Sequence, residues 1–283
     1  MSQGESSPFI RRILVALDSS PASLSAMEQA IELAAGFEAE VIGLFVEDIN
    51  LVRLAELAVT HEIGLFSAAS RRLEIRFIER QFRGQASQAR QVLARLADQA
   101  GVQWSFRVAR GVIARELLSA ALEADLIILG RAGSSALGRR RLGSTVRAIL
   151  LQPPQLTIIF QPGSRLGGPI LAFYDGSPAA QKALAAAAQL SRDGERRLTV
   201  LVMESDPATA KALQQEAEHI LAAWPELTVR HIWHPQADIT GLARAILAEG
   251  CQMLALPSES AILDNQAILA LLAQVECPVL VAR

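Results

Sequence analysis

At 283 residues the chain is near twice the size of an ordinary domain, and with 51% hydrophobic residues it can fill two cores. A formal net charge of −2 gives no electrostatic reason to expect a nucleic-acid or membrane-surface partner. No apolar run approaches the roughly 18 residues of a membrane span, and the polar start MSQGESSP lacks the apolar stretch of a secretory signal, so a cytoplasmic protein is expected.

In chain order, a strand is expected near 12–18, closed by Asp18. Ser20-Pro21 then supplies an N-cap and a first-turn proline. The helix near 21–35 carries Met27, Ala30, Ile31 and Ala34 on one face. Strands near 40–47, 103–109, 125–130 and 155–161 follow, with helices near 70–100, 112–123 and 144–152. Pro162 to Gly168 is a linker. The plan then repeats, with strands near 169–175, 197–204, 227–233, 252–257 and 278–282. Helices are expected near 178–191, 207–223, 239–249 and 262–275. ILVALD (13–18) and ILAFYD (170–175) stand at a constant offset of 157, and each is followed, after one further residue, by Ser-Pro. That match marks two copies of one unit. Strand-helix alternation with short connections predicts an α/β fold, a parallel sheet covered on both faces.

The copies differ in length. The first has 30 more residues before its fourth strand, most of them within 49–100. Arg72, Arg76, Arg80 and Arg83 there form a stripe at helical spacing, either a solvated helix face or a partner surface. His231 and His234 flank Trp233 without further ligands at metal spacing. Cys251 and Cys277 are far apart and in no CxxC pattern, so neither a redox motif nor a zinc site is suggested.

The chemistry lies after the strand at 125–129. Gly130-Arg-Ala-Gly133 is followed by nine residues, then Gly143-Ser144-Thr145 opens a helix. Glycines let a backbone curl its N–H groups toward an anion, and a helix start adds unpaired N–H groups and a positive dipole end. Ser144 and Thr145 can donate hydroxyls. Arg131, Arg139, Arg140 and Arg141 either assist an anionic guest or form an exposed basic loop. Gly138 to Thr145 has P-loop glycine spacing, but Ser144 stands where the lysine is required, and no GxGxxG follows the first strand.

The motif G-x2-G-x9-G-(S/T), read with Asp18-Ser-Ser-Pro-Ala-Ser23 after the first strand and FVED after the second, resembles the ATP-binding branch of the universal stress protein family, in its tandem two-domain type. The resemblance implies two tandem Rossmann-like (adenine nucleotide alpha hydrolase-like) domains, at 1–162 and 168–283, each a five-stranded parallel sheet flanked by helices. It implies ATP, with Mg2+ held through the phosphates, between the first and fourth strands. Asp18 would meet the ribose or the phosphate-bound metal, and Val46 would offer its backbone to the adenine. Leu129 would pack near base or sugar, and Gly130, Gly133, Gly143, Ser144 and Thr145 would wrap the phosphates. Ala132 departs from the histidine or arginine common in the family. For Asp18 a capping role, and for Val46 core packing, stay open as alternatives.

In the second copy Asp175 is kept, but Pro257 and Ser260 replace the first two loop glycines, so no second ATP site is expected. Without a phosphate-binding lysine and metal-holding carboxylates, binding with little or no turnover is the reading. Occupancy would then tune stability or association in a stress-response protein. The alternative is an interaction scaffold with a vestigial loop, its last strands (155–161 and 278–282) pairing within the chain as an internal pseudo-dimer. A homodimer is a further option, and a true ATP-consuming enzyme the third reading.

Overall fold

Continuous apolar runs such as 126–129 and 279–282 are strands only if both faces are covered, and both runs are buried throughout. The computed structural model describes residues 10–18, 20–56, 61–63, 70–72, 75–131, 142–152, 156–161, 163–191, 196–236 and 238–283. The first half contains β1 (Arg12–Leu17), α1 (Pro21–Phe37), β2 (Glu40–Asp48), α2 (Ile49–Glu56), β3 (His61–Ile63) and β4 (Ser70–Arg72). It continues with α3 (Ile75–Ala100), β5 (Trp104–Gly111), α4 (Ile113–Ala121), β6 (Leu126–Gly130), α5 (Ser144–Leu151) and β7 (Leu156–Phe160). The second half contains β8 (Ile170–Tyr174), α6 (Pro178–Leu190), β9 (Arg197–Met203), α7 (Pro207–Leu221) and β10 (Thr228–His234). It ends with α8 (Ile239–Glu249), β11 (Met253–Pro257), α9 (Asn265–Gln274) and β12 (Val279–Ala282).

These elements make two tandem Rossmann-like domains, each with five parallel strands, in the orders β5-β2-β1-β6-β7 and β10-β9-β8-β11-β12. The sheets are continuous. β7 and β12 pair antiparallel, from Leu156↔Ala282 to Ile159↔Val279, and close a ten-stranded sheet. Each face of that sheet carries a core running through both halves. α1, α3, α6 and α7 pack on one side, around Val15, Phe160, Tyr174 and Leu280. α4, α5, α8 and α9 pack on the other, around Leu14, Leu129, Leu254 and Val281.

The connection between β2 and β5 differs from the expected single helix over 70–100. It holds α2, the β3–β4 hairpin and then α3, which starts at Ile75. α2 and α3 add a small third core in which Val52, Ile78 and Phe82 cover Phe45, the two phenyl rings meeting edge to face at 6.5 Å. The corresponding connection in the second half is α7 alone. Arg76, Arg80 and Arg83 lie exposed on α3, and Arg80 and Arg83 donate to the carbonyls of Arg76 and Glu79. Arg72 belongs to β4 instead, so the arginine stripe is shorter than its spacing suggested.

Candidate functional site

The sheet opens where its strand order reverses. β1 and β6 pair only as far as Val15↔Ile128, yet both strands run two residues further. Over those residues β1 stays with β2 to Leu17↔Phe45, and β6 stays with β7 to Gly130↔Phe160. Leu17-Asp18 and Leu129-Gly130 therefore line opposite walls of a crevice at the carboxyl edge, the position where open parallel sheets receive ligands. The first turn of α1 closes one face of that crevice, through Gly130 against Ala22, and α5, which begins at Ser144, packs on the other face of the sheet.

Asp18 is held in a local turn. Its Oδ1 accepts from the Ser20 amide at 2.8 Å, and its own amide donates to Ser23 Oγ at 2.9 Å. Ser20 Oγ in turn accepts the Ser23 amide at 3.1 Å as N-cap of α1. Ser20 and Ser23, which sequence reasoning did not assign to the site, thus fix the acidic residue at the crevice. The SSxxS pattern at 19–23 is the signal that could have found them.

Gly130 is required for a reason other than ligand approach. A Cβ there would lie 2.8 Å from the main-chain carbon of Ala22, so the glycine lets the end of β6 close onto α1. Gly133 and Arg139 to Arg141 lie outside the described residues. Gly143, with φ −60 and ψ 150, is the N-cap of α5 and supplies no side-chain cap to its first turn. Ser144 is exposed and Thr145 half-buried at that helix start. Val46 lies one residue past the last β1–β2 pair while still paired to Ala109 of β5, so its backbone on the β1 side faces the opening. Leu129 is 2% exposed and packs in the core with Leu142 and Val146, so what it brings to the crevice is main chain and not a side chain.

The expectation for Arg131 needs correction. Only 3% exposed, it is no part of an exposed basic loop and reaches into the seam with the second domain. Its guanidinium donates to Gln161 Oε1 at 2.6 Å and to the carbonyls of Ala273 and Val275 at 3.2 and 3.4 Å. Gln161 Nε2 donates to the Val275 carbonyl as well. Residue spacing could not announce this, because Ala273 and Val275 lie on the far side of the β7–β12 junction.

The second half has the same opening, since β11 and β8 pair only to Ala255↔Ala172, but it is finished differently. Asp175 Oδ1 accepts the Ser177 amide at 3.0 Å, repeating the Asp18 turn. Seven residues, 258–264, then connect β11 to α9, against thirteen, 131–143, between β6 and α5. Ser260 folds them into a tight turn, its Oγ accepting the amides of Ile262 and Leu263. Asp264 caps α9, accepting the Ala267 amide at 2.7 Å. The N-cap of α5 supplies no side-chain acceptor to its first turn, whereas the N-cap of α9 supplies a carboxylate.

Elsewhere, His231 Nε2 lies 3.7 Å from Glu218, and His234 Nδ1 is engaged by the backbone of Gln236. No group of three or more His, Cys, Asp or Glu suited to a metal occurs among the described residues. Cys251 and Cys277, remote in sequence, precede the adjacent strands β11 and β12 and their thiols interact. That hydrogen bond holds Cys277 below the usual thiol range and, with burial, pushes Cys251 above it. No helix among the described residues is long and apolar enough to cross a membrane.

Comparison with known proteins agrees with this architecture. A crystal structure of a universal stress protein from Archaeoglobus fulgidus superposes with a TM-score of 0.72 over 97% of each chain, at 18% identity. A putative universal stress protein from Pseudomonas aeruginosa gives a TM-score of 0.60 over 96% of this chain and 93% of that one, at 16% identity. At such identity the likeness is one of fold. A universal stress protein of Methanocaldococcus jannaschii is 28% identical over 142 residues, which is 50% of this chain and 75% of the relative. The model of the universal stress protein family matches residues 10–159, more than half of the chain, and the chain belongs to that family.

Proposed function

We propose that the chain is a stress-response protein that binds ATP in the β1–β6 crevice of its first domain, one nucleotide per chain. The domains are taken as 1–162 and 168–283. The observation that carries this reading is the contrast between the two helix starts facing equivalent crevices. Gly143 leaves the first-turn amides of α5 to an incoming anion, whereas Asp264 fills the same place on α9 with negative charge. Gly143, Ser144 and Thr145, with Gly130 and Gly133, would hold the phosphates. Val46 would present backbone to the base, Leu129 would line the sugar with main chain, and the Asp18 turn would face the ribose or a phosphate-bound Mg2+. A carboxylate fixed in a turn and a helix start without a side-chain cap make a cradle, with no residue assigned among the described ones to align an attacking water. Occupancy then acts by mass action, adding stability to the folded form and shifting association, with little or no turnover.

The test exploits the natural difference between the halves. Gly143 has an extended backbone open to any residue, and aspartate is a good N-cap, so Gly143→Asp should fold as well as the parent. Its carboxylate should weaken ATP binding by more than about tenfold, measured by titration calorimetry with and without magnesium. Equal affinity in the two proteins would sink the phosphate assignment. A parent that binds no ATP at millimolar concentration, and releases no nucleotide on denaturation, would favour the scaffold reading.

A further inference from the structure

Arg131 lies at the base of the loop just assigned to phosphate and makes contacts that reach beyond it. Its amide donates to the Phe160 carbonyl at 2.7 Å, and its carbonyl accepts the Gly143 amide at 2.9 Å. One residue therefore ties the outgoing end of β6 to the N-cap of α5, pinning both ends of the loop. Its side chain also reaches into the second domain. The carbonyls of Ala273 and Val275 that receive it are at the carboxyl end of α9, the negative end of that helix's dipole. Gln161, just past β7, completes the cluster by accepting from Arg131 and donating to Val275, with Cys277 O at 3.5 Å.

The arrangement is one-sided. In the second half Ser258 takes the place of Arg131, its amide donating to Ala282 O at 2.7 Å just as Arg131 donates to Phe160. A serine side chain cannot span the seam in return. The domain without an open helix start thus supplies an anchor to the domain that has one.

We propose that Arg131 is a positioning residue through which the second domain holds the two ends of the phosphate loop, at Arg131 and Gly143, so that nucleotide occupancy and order at the α9 end of the seam form one linked equilibrium. This rests on the reading of the loop as an ATP site. Linkage is reciprocal: whatever the seam contributes to ATP affinity, ATP returns as protection of the seam.

The experiment uses the full chain and two readouts. ATP affinity is measured by calorimetry for the parent, Arg131→Met, Arg131→Lys and Gln161→Leu. Amide hydrogen exchange at residues 271–277 is followed with and without ATP. Arg131→Met should weaken ATP about tenfold, a size typical of coupling between sites, with Arg131→Lys recovering part of the loss. Gln161→Leu, which keeps the arginine but removes its acceptor, should give a smaller loss and covers the case in which Arg131→Met does not fold. ATP should slow exchange at 271–277 in the parent, far from the phosphates in sequence, and should do so less in the variants. Unchanged affinity in a folded Arg131→Met protein, or exchange at 271–277 indifferent to ATP in the parent, overturns the proposal alone. A parent that does not bind ATP overturns the site reading and this proposal with it.

Discussion

At the scale of single residues, Gly130 and Gly84 show how differently two glycines respond to the same change. Gly130 has no room, since an added methyl would meet main-chain atoms of Ala22 at 2.8 Å. Gly130→Ala should therefore cost about 1–3 kcal/mol, because backbone on both sides must give. Gly84 sits inside α3 with nothing within 4 Å, and Gly84→Ala should stabilise by about 0.5–1 kcal/mol through backbone entropy. Urea denaturation of the two variants checks the pair, and the same sign for both would refute the packing argument. The spacing of Gly130, Gly133 and Gly143 was legible in the sequence, but the duty of Gly130 toward α1 was not. Likewise Arg131 reads as one more basic residue near an anion until the antiparallel junction brings α9 to it. Composition suggests a charge's partner only when that partner is local.

At the scale of elements, the second half leans on aspartate caps. Asp206, Asp238 and Asp264 accept first-turn amides of α7, α8 and α9. The hydrogen bond from the Gly241 amide, 2.7 Å long, is the main cause that lowers the Asp238 carboxyl below its ordinary value. Its folded value is depressed, so its contribution is present above the unfolded carboxylate range, about 3.9, and fades as pH falls through the lower folded value. Asp238→Asn keeps a capping oxygen but cannot titrate, so its melting temperature should fall less steeply than the parent's below about pH 4. Parallel slopes in scanning calorimetry would show that the cap contributes nothing to acid sensitivity. The starts of α1 and α6 were readable from Ser20-Pro21 and Ser177-Pro178. α2 and the β3–β4 hairpin were not, because a short helix and three-residue strands give too few periods for a pattern to stand out.

At the scale of the whole molecule, the β7–β12 pair decides how the chain behaves as a unit. Strand β7 is buried at every position, and β12 supplies the hydrogen bonds of its outer edge. A fragment ending after residue 162 would bare that apolar edge and the core flanking it. Such a fragment should self-associate in sedimentation velocity runs at micromolar concentration, while the full chain leaves β5 and β10 as its sheet edges. A monomeric, stably folded fragment would show that the seam is dispensable. Strand and helix order across both halves could be read from alternating patterns and from the ILVALD and ILAFYD repeat. The continuity of the two sheets lay beyond that reading, since it depends on which edges meet.

The antiparallel seam also sets which changes the protein can accumulate. Identical subunits meeting about a twofold axis receive every substitution twice, so an arginine that helps one side appears on both. Joining the halves in one polypeptide lifts that restriction. One copy can keep an open loop while the other shortens its loop and gives up its carboxyl edge. Because the strands of the two halves run in opposite directions, the crevices open toward opposite ends of the sheet, and closing one leaves the other undisturbed. What the second half presents to the first is the chain leading into its own last strand, as Ala273 and Val275 do for Arg131. The second half is thereby free to serve as a support for the first.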